Sequence, residues 1–521
     1  MTPARAAFDR ATLAFLGVLI VLTWLRVEAL RLNPVGLYFD EAQYWMWSQT
    51  FDWGYFTKPP LIAWVIGATT ALTGSDAEWA IRLGAPIAHA LAAIALFALG
   101  RSMYGAWAGF WAGVGYLTIP GVVFSANIIS TDALLLPLWS LALFSMWRLV
   151  VTRSWVWAIA LGLFVGVGAL AKYAMLYFIL CTAMAARWMP SLRTALGSGR
   201  GIVAFLIVLA VLAPNIWWNY EHGFATARHT ASNARFDASD MFNFDELIEF
   251  IGGQAGVLGP VIFLVLIGTG FRAWRRSSGL SDEDKFLISY ILPPLLIVSA
   301  IAFISRANAN WAAVAYPGAL LWVTGSLFAT RNGRRWLVAA TVINVLMGVG
   351  FFYAALDPVM ANRFKGMRTA QAWDSTADAI AQRALPQPGE PPFSAVLVDD
   401  RATYFELAYY WRNARRDGRP LPPVRMWLLH GEAANSAEAT DPMRPEEGGR
   451  VLVVHLTPDY LPFIAGDFTV FRTVEHLSVP LGGGVNRELE FSVGEGFAPA
   501  PRDEAFEQRL RDQRNQNRRR R

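Results

Sequence analysis

Tyr38 to Leu61 reads "YFDEAQYWMWSQTFDWGYFTKPPL". It follows an apolar run long enough to cross a bilayer, and further apolar runs come after it. The stretch nevertheless holds three acids, one lysine, a Lys-Pro-Pro turn and nine aromatic rings. Charge inside a membrane is costly, so these residues mark the place where a first span meets water. Asp40 and Glu41 are adjacent, and on a helix they point about 100° apart. They cannot act as one facing pair. One reading makes them an N-cap, because acids suit the positive end of a helix that starts near Ala42. The other leaves one carboxylate facing a cavity lined by rings.

Composition supports the membrane reading. The chain has 521 residues, 55% hydrophobic and 16% charged, with 22 Trp and 33 Phe. A soluble globular chain is nearer one-quarter charged. The single cysteine, Cys181, rules out an internal disulfide and leaves the redox compartment unread. The net charge of +5 owes much to the tail "QRLRDQRNQNRRRR", and nothing else resembles a nucleic-acid patch. The run from Ala11 to about Arg31 has no small-residue cleavage site after a short core, so it reads as a retained anchor.

Runs that meet the length of about 20 residues for a span lie near 11–31, 80–100, 104–124, 127–149, 155–171, 173–189, 201–219, 249–271, 286–305, 309–329 and 335–356. Residues 59–74 are shorter and Pro-led, which suits an interfacial helix. About eleven transmembrane helices are therefore expected. With Arg5 and Arg10 cytoplasmic, alternate turns should be basic. They carry Arg101; Arg148 and Arg153; Arg187, Arg193 and Arg200; Arg272, Arg275 and Arg276; and Arg331, Arg334 and Arg335. The opposite, periplasmic face receives the opening stretch, the loop from Tyr220 to Leu247, "ISRANANW" and everything after about Asp357.

The exported part changes character. "FSAVLVDD" and "RVLVVHL" read as strands and "RATYFELAYYWRNA" as an amphipathic helix. The expected architecture is an α-helical polytopic membrane domain over 1–356 and a small α/β periplasmic domain over 357–498. A basic tail over 499–521 is charged enough to be disordered.

Each candidate residue carries a functional and a structural reading. Lys58 projects from a turn stiffened by Pro59 and Pro60. It either snorkels to headgroups or acts as a point charge on a phosphate. Asp132, in "STDALLLPLW", lies inside an apolar stretch and is a functional candidate by default; otherwise it pairs with a lysine or caps a helix. Lys172, in "ALAKYAML", stands on the face where positive charge is under-represented, or sits in a tight turn with its side chain snorkelling. The loop with His222, Arg228, His229 and Arg235 matches no strong metal signature and is otherwise an ordinary polar loop. Arg306 and Asn310 contact an anionic sugar or phosphate, or anchor a helix end. No Walker loop, dinucleotide fingerprint or nucleophile elbow is present.

The acidic pair after the first span, "KPPL", "STDALL" and "AKY" together resemble the membrane-embedded GT-C glycosyltransferases. The nearest are the bacterial dolichyl-phosphate-mannose-protein mannosyltransferase-like proteins, which include the lipid A aminoarabinose and galacturonosyl transferases. The resemblance covers about residues 1–320. It implies sugar transfer from a polyprenyl phosphate to an acceptor at the periplasmic face of the bacterial inner membrane. That acceptor would be lipid A, another glycan or a protein. It implies Asp40 as catalytic acid with Glu41 beside it, Asp132 as a second acid, and Lys58 and Tyr55 at the donor phosphate. Lys172 would meet the lipid phosphate, with His229 and Arg235 as a later polar pair. The aminoarabinose transferase has a metal-holding Glu before its Lys-Pro-Pro; Thr57 stands there in this chain. No metal ligand or other cofactor is therefore carried over. A transporter or flippase of a lipid-linked sugar would instead show repeat symmetry and broken helices near the midplane. A protein O-mannosyltransferase would share the donor and differ in the acceptor.

Overall fold

The computed structural model describes residues 9–224, 226, 242–276, 279–456 and 458–520. These form two compact units, Met1–Asn33 with Phe51–Phe352, and Pro34–Thr50 with Tyr353–Arg521.

The first unit is helical. Six of its described helices are long and apolar enough to span: Arg10–Leu32, Glu78–Tyr104, Thr131–Thr152, Gly199–Glu221, Asp282–Ile304 and Gly333–Leu356. Phe244–Leu258 and Pro260–Arg275 reach a span's length and hydropathy only as a pair, and they meet at 115°. The bend falls at Gly259 (φ 84°), where a Cβ would come within 1.9 Å of Asn344 Oδ1. The other expected runs carry shorter helices, among them Trp155–Ala171, Tyr177–Trp188 and Ala315–Phe328. Serine side chains cap several starts: Ser130, Ser154, Ser198 and Ser281 each accept from a backbone N–H of the first turn.

The two ends of this unit differ in chemistry. At one, Arg101 Nη1 lies 2.5 Å from Asp9 Oδ2, tying the start of the first helix to the end of Gly84–Tyr104. Arg153 donates to the Ser191 carbonyl (2.6 Å) and Arg272 to Ser326 Oγ (3.2 Å). These are turns that the charge alternation groups on one side. At the other end stand Asp132, Lys172 and Asn310.

The second unit is built on a five-stranded sheet of order β2-β1-β3-β5-β4. Its strands are β1 Ala395–Val398, β2 Val424–Met426, β3 Arg450–His455, β4 Phe468–Gly482 and β5 Val485–Phe497. β1 runs parallel to β2 and β3, whereas β5 pairs antiparallel with both β3 and β4. The helix Arg401–Tyr410 follows β1, capped by Asp400, and precedes β2. The β4–β5 hairpin turns through Gly482, Gly483 and Gly484, all with positive φ (97°, 61° and 77°), a geometry that side chains disfavour.

Two expectations need correction here. The tail does not remain without structure, since Glu504–Arg520 is helical. Phe506 and Leu510, one turn apart, enter the core beside Trp427 and Ile464. Burying that face outweighs the charge of the helix's other side. Residues 34–50, read as part of the membrane domain, pack with the C-terminal unit instead. Trp45 meets Tyr409 edge-on at 5.1 Å, and Trp47 Nε1 donates to Ser436 Oγ at 3.1 Å.

Arg502 and Asp467 join the tail to the sheet by a buried ion pair at 2.6 Å. Asp467 also accepts from Trp427 Nε1 (2.8 Å) and the Ala500 N–H (2.8 Å), so every part of this carboxylate is satisfied. Breaking a buried pair on one side leaves an uncompensated charge and costs about 3–5 kcal/mol. Asp467→Ala is expected to destabilise the C-terminal unit by about 3 kcal/mol or more, read as a lowered denaturation midpoint of purified protein. An unchanged midpoint would show that the pair does not hold the tail.

Candidate active site

The core of the site in the first unit is an ion pair across two helix ends. Asp132 sits in the first turn of Thr131–Thr152, just inside the Ser130 cap. Lys172 closes the helix Trp155–Ala171 with an extended backbone. The Lys172 ammonium lies 2.8 Å from Asp132 Oδ1 and 2.9 Å from Oδ2. Asn310 Nδ2 donates to the same Oδ2 at 2.9 Å. The side chains are 24% and 14% exposed, so the pair is sheltered and still reachable. An ammonium has three donors; Asp132 occupies two, and among the described residues nothing takes the third.

Asn310 is held from behind. It lies in the one-turn helix Ala309–Ala312, whose Ala309 carbonyl accepts from Tyr316 Oη at 2.8 Å. Tyr316 Oη also meets Gln254 Oε1 at 2.6 Å. Neither Gln254 nor Tyr316 was singled out in the sequence, although a Gln inside an apolar helix is the kind of signal that marks such a brace. Arg306 is exposed four residues earlier and makes no hydrogen bond or ion pair among the described residues.

The Lys-Pro-Pro loop belongs to this same unit. The Tyr55 N–H donates to the Lys58 carbonyl (3.1 Å), which closes a tight turn over Phe56 and Thr57. Thr226 Oγ1 donates to the Tyr55 carbonyl (2.8 Å). A short relay ties this loop to the lysine pair. Tyr173, next to Lys172, bonds Asn215 Oδ1 (3.0 Å) and receives from Asn219 Nδ2 (3.1 Å), while Asn215 Nδ2 donates to the Trp53 carbonyl (2.6 Å). Phe51 and Trp53 on the loop cluster with Trp64 of the following helix Leu61–Thr73, with Phe51 stacked on Trp64 at 5.1 Å. Lys58 is half-buried, and Tyr55 and Thr57 are buried.

Asp40 and Glu41 fall in the second unit, in the first turn of Phe39–Trp47. The two carboxylates divide the roles that adjacency allows. Glu41 Oε2 accepts from the Tyr38 N–H at 3.0 Å, making it the cap. Asp40 is the half-exposed acid, with Arg401 Nη2 at 3.9 Å and the Arg401 guanidinium stacked on Phe39. At the end of β1, burial and the negative charges of Asp400 and Asp459 push the Asp399 carboxyl up to about 7. His229 and Arg235 lie outside the described residues.

A metal fits poorly at this site. Thr57 offers a neutral hydroxyl where a carboxylate would be needed, and among the described residues no three His, Cys, Asp or Glu side chains gather to hold an ion.

Comparison with known proteins gives the class. The family model described as dolichyl-phosphate-mannose-protein mannosyltransferase matches residues 57–218. The fold matches crystal structures of ArnT from Cupriavidus metallidurans. In the apo state the TM-score is 0.60 at 17% identity, covering 94% of this chain and 98% of that one. Bound to undecaprenyl phosphate, the TM-score is 0.59 at 16% identity, covering 94% and 99%. This is a multi-pass membrane glycosyltransferase of the GT-C type. The chain belongs to the family of the lipid A galacturonosyltransferase RgtD of Rhizobium johnstonii, to which it is 34% identical over 401 residues, 76% of this chain and 83% of that protein.

The pair geometry makes a distinct prediction. If Asp132 acts by holding Lys172, Asp132→Asn and Lys172→Met should each lower transfer by similar factors, and the double variant should be little worse than either. Kinetics on purified protein would test this. Multiplying losses would mean that the two act separately.

Proposed function

We propose that this protein moves a sugar from a polyprenyl phosphate to lipid A at the periplasmic face of the bacterial inner membrane, with inversion at the anomeric carbon. The observation that carries the reading is the match to a lipid A galacturonosyltransferase over most of both chains. The undecaprenyl phosphate in the ArnT structure of similar fold supports the donor class. Galacturonic acid is the first sugar to test.

The residues suit that chemistry. The donor breaks its bond between the anomeric carbon and the phosphate oxygen, and the leaving phosphate gains negative charge. Lys58 and the spare donor of Lys172 stabilise that charge in a site walled by apolar helices, where such stabilisation is worth most. Asp132 holds Lys172 in place. Asp40 takes the proton from an acceptor hydroxyl as that oxygen bonds to the anomeric carbon. One displacement of this kind inverts the carbon, as in single-displacement glycosidases. An acceptor phosphate is already ionised and needs no base; Asp40 then orients the sugar. Tyr55 lines the donor pocket, and Glu41 fixes the helix that carries Asp40. Arg306 and Asn310 face the anionic groups of donor or acceptor.

Lipid A from a deletion strain should lack one glycosyl increment that the parent carries, and the wild-type gene should restore it. An unchanged mass spectrum would exclude lipid A as acceptor. In the same strain, Asp40→Asn should assemble in the membrane and restore nothing if the acceptor is a hydroxyl. Lys58→Ala should chiefly raise the KM for donor, by about tenfold or more, given that charge-assisted hydrogen bonds contribute about 1.5–3 kcal/mol.

Sidedness is tested separately. A reporter active only in the periplasm, fused after Arg521, should be active, and its cytoplasmic counterpart silent. The reverse pattern would overturn the assignment of faces.

A further inference from the structure

Away from the Lys172–Asp132 pair, the first unit has a groove of about 160 Å³ between the Trp155–Ala171, Tyr177–Trp188 and Gly199–Glu221 helices. Val165, Ile179, Leu196, Phe205 and Val208 are among its walls. Its polar side chain is Thr182, whose hydroxyl is already bonded to Tyr290 Oη at 2.8 Å. Such a lining offers nothing to a sugar or a free ion. It suits a hydrocarbon chain.

One end of the groove has a different character. Leu196 and Gly201 line it and bracket the Ser198–Arg200 helix start. The Arg200 guanidinium lies 5.0 Å over the Trp155 ring and makes no hydrogen bond or ion pair among the described residues. Arg193 is exposed nearby in sequence, on the short helix Pro190–Leu196. No acidic residue occurs between Asp132 and Glu221, although Arg148, Arg153, Arg187, Arg193 and Arg200 all fall there. The protein supplies no counter-charge for this end from its own segment.

An apolar groove that leads to unneutralised arginines is chemically complementary to one kind of membrane component. We propose that this is a binding site for a diacyl glycerophospholipid with a net negative headgroup, a phosphatidylglycerol-like lipid. An acyl chain lies in the groove and the phosphate meets Arg200 and Arg193. A zwitterionic lipid would fit the groove equally well but brings its own ammonium to the arginines. The site is separate from the sugar-transfer site and does not depend on the acceptor assigned above. If the charge alternation fixes the faces as read, the lipid comes from the cytoplasmic leaflet.

Native mass spectrometry of the full chain, exchanged into equimolar phosphatidylglycerol and phosphatidylethanolamine, tests the proposal. Wild-type protein should retain phosphatidylglycerol preferentially. A cation near an anionic lipid surface is worth roughly fivefold, so Arg193→Ala with Arg200→Ala should cut that preference by about 25-fold. Arg200→Lys with Arg193 intact should keep most of it, which separates charge from packing on Trp155. Val165→Trp, filling the groove, should lower retention of both lipids while the arginines stay. Each variant is compared at matched elution profile, so a misfolded one is recognised; Arg200→Lys keeps the test open if the alanine variants aggregate. Equal retention of both lipids by wild type, or an undiminished preference in the double alanine variant, would overturn the assignment.

Discussion

A charge set among apolar helices must find a partner, and in the first unit the partner of Asp132 is Lys172. A lone carboxylate or ammonium at membrane depth costs several kcal/mol, whereas the pair at 2.8 Å, completed by Asn310, satisfies both. That requirement fixes more than two side chains. It holds the start of Thr131–Thr152 against the end of Trp155–Ala171, and it sets the one-turn helix at Ala309–Ala312 beside them. These elements come from points far apart in the chain and meet at one polar spot. The fold thus holds a polar spot in an apolar wall.

Much of this was legible in the sequence, and the boundary of legibility has a physical cause. Hydropathy finds apolar runs because each helix must satisfy its own backbone, so the long spans fall where the runs lie. Alternation of Arg-rich turns found the groupings that Arg101–Asp9 and Arg153–Ser191 later join. Asp132 and Lys172 were each marked as out of place, and a lysine partner for Asp132 was one of the open readings. Their meeting, 40 residues apart in sequence, has no periodic signature. Asn310, 178 residues from Asp132, has less. In the second unit, β1, β3 and the helix after β1 were read from β-branched runs and period. β2 has three residues, too few to make a pattern. β4 was hidden by its exposure, because an edge strand with charged faces reads as loop.

The tail and the opening stretch were misplaced for related reasons. Composition averages over a window, so the arginines of the tail hid Phe506 and Leu510, whose spacing of four was the available clue. The rings of residues 38–50 were read as lining a cavity where the first span meets water. In the structure, Trp45 and Trp47 instead pack on Tyr409 and Ser436 of the C-terminal unit. An aromatic residue suits an interface with lipid or with protein equally well, and sequence does not say which.

The division of labour between Asp40 and Glu41 shows how local geometry narrows chemistry. Adjacent acids on a helix cannot share a task, and the hydrogen bond from the Tyr38 N–H assigns the capping role to Glu41. Asp40 is half-exposed, with Arg401 at 3.9 Å. A similar narrowing occurs at Lys58. Pro59 and Pro60 restrict the backbone after it, the Tyr55–Lys58 hydrogen bond closes the turn before it, and the Thr226 hydroxyl pins that turn from outside. The side chain of Lys58 therefore starts from a backbone with little freedom. The loop that carries it is joined through Trp53, Asn215 and Tyr173 to the residue beside Lys172. A loop whose backbone is fixed before a ligand arrives need not be ordered by binding. The Tyr173–Asn215–Trp53 relay joins the Lys-Pro-Pro loop to the residue beside Lys172, and it does so without any charged group of its own.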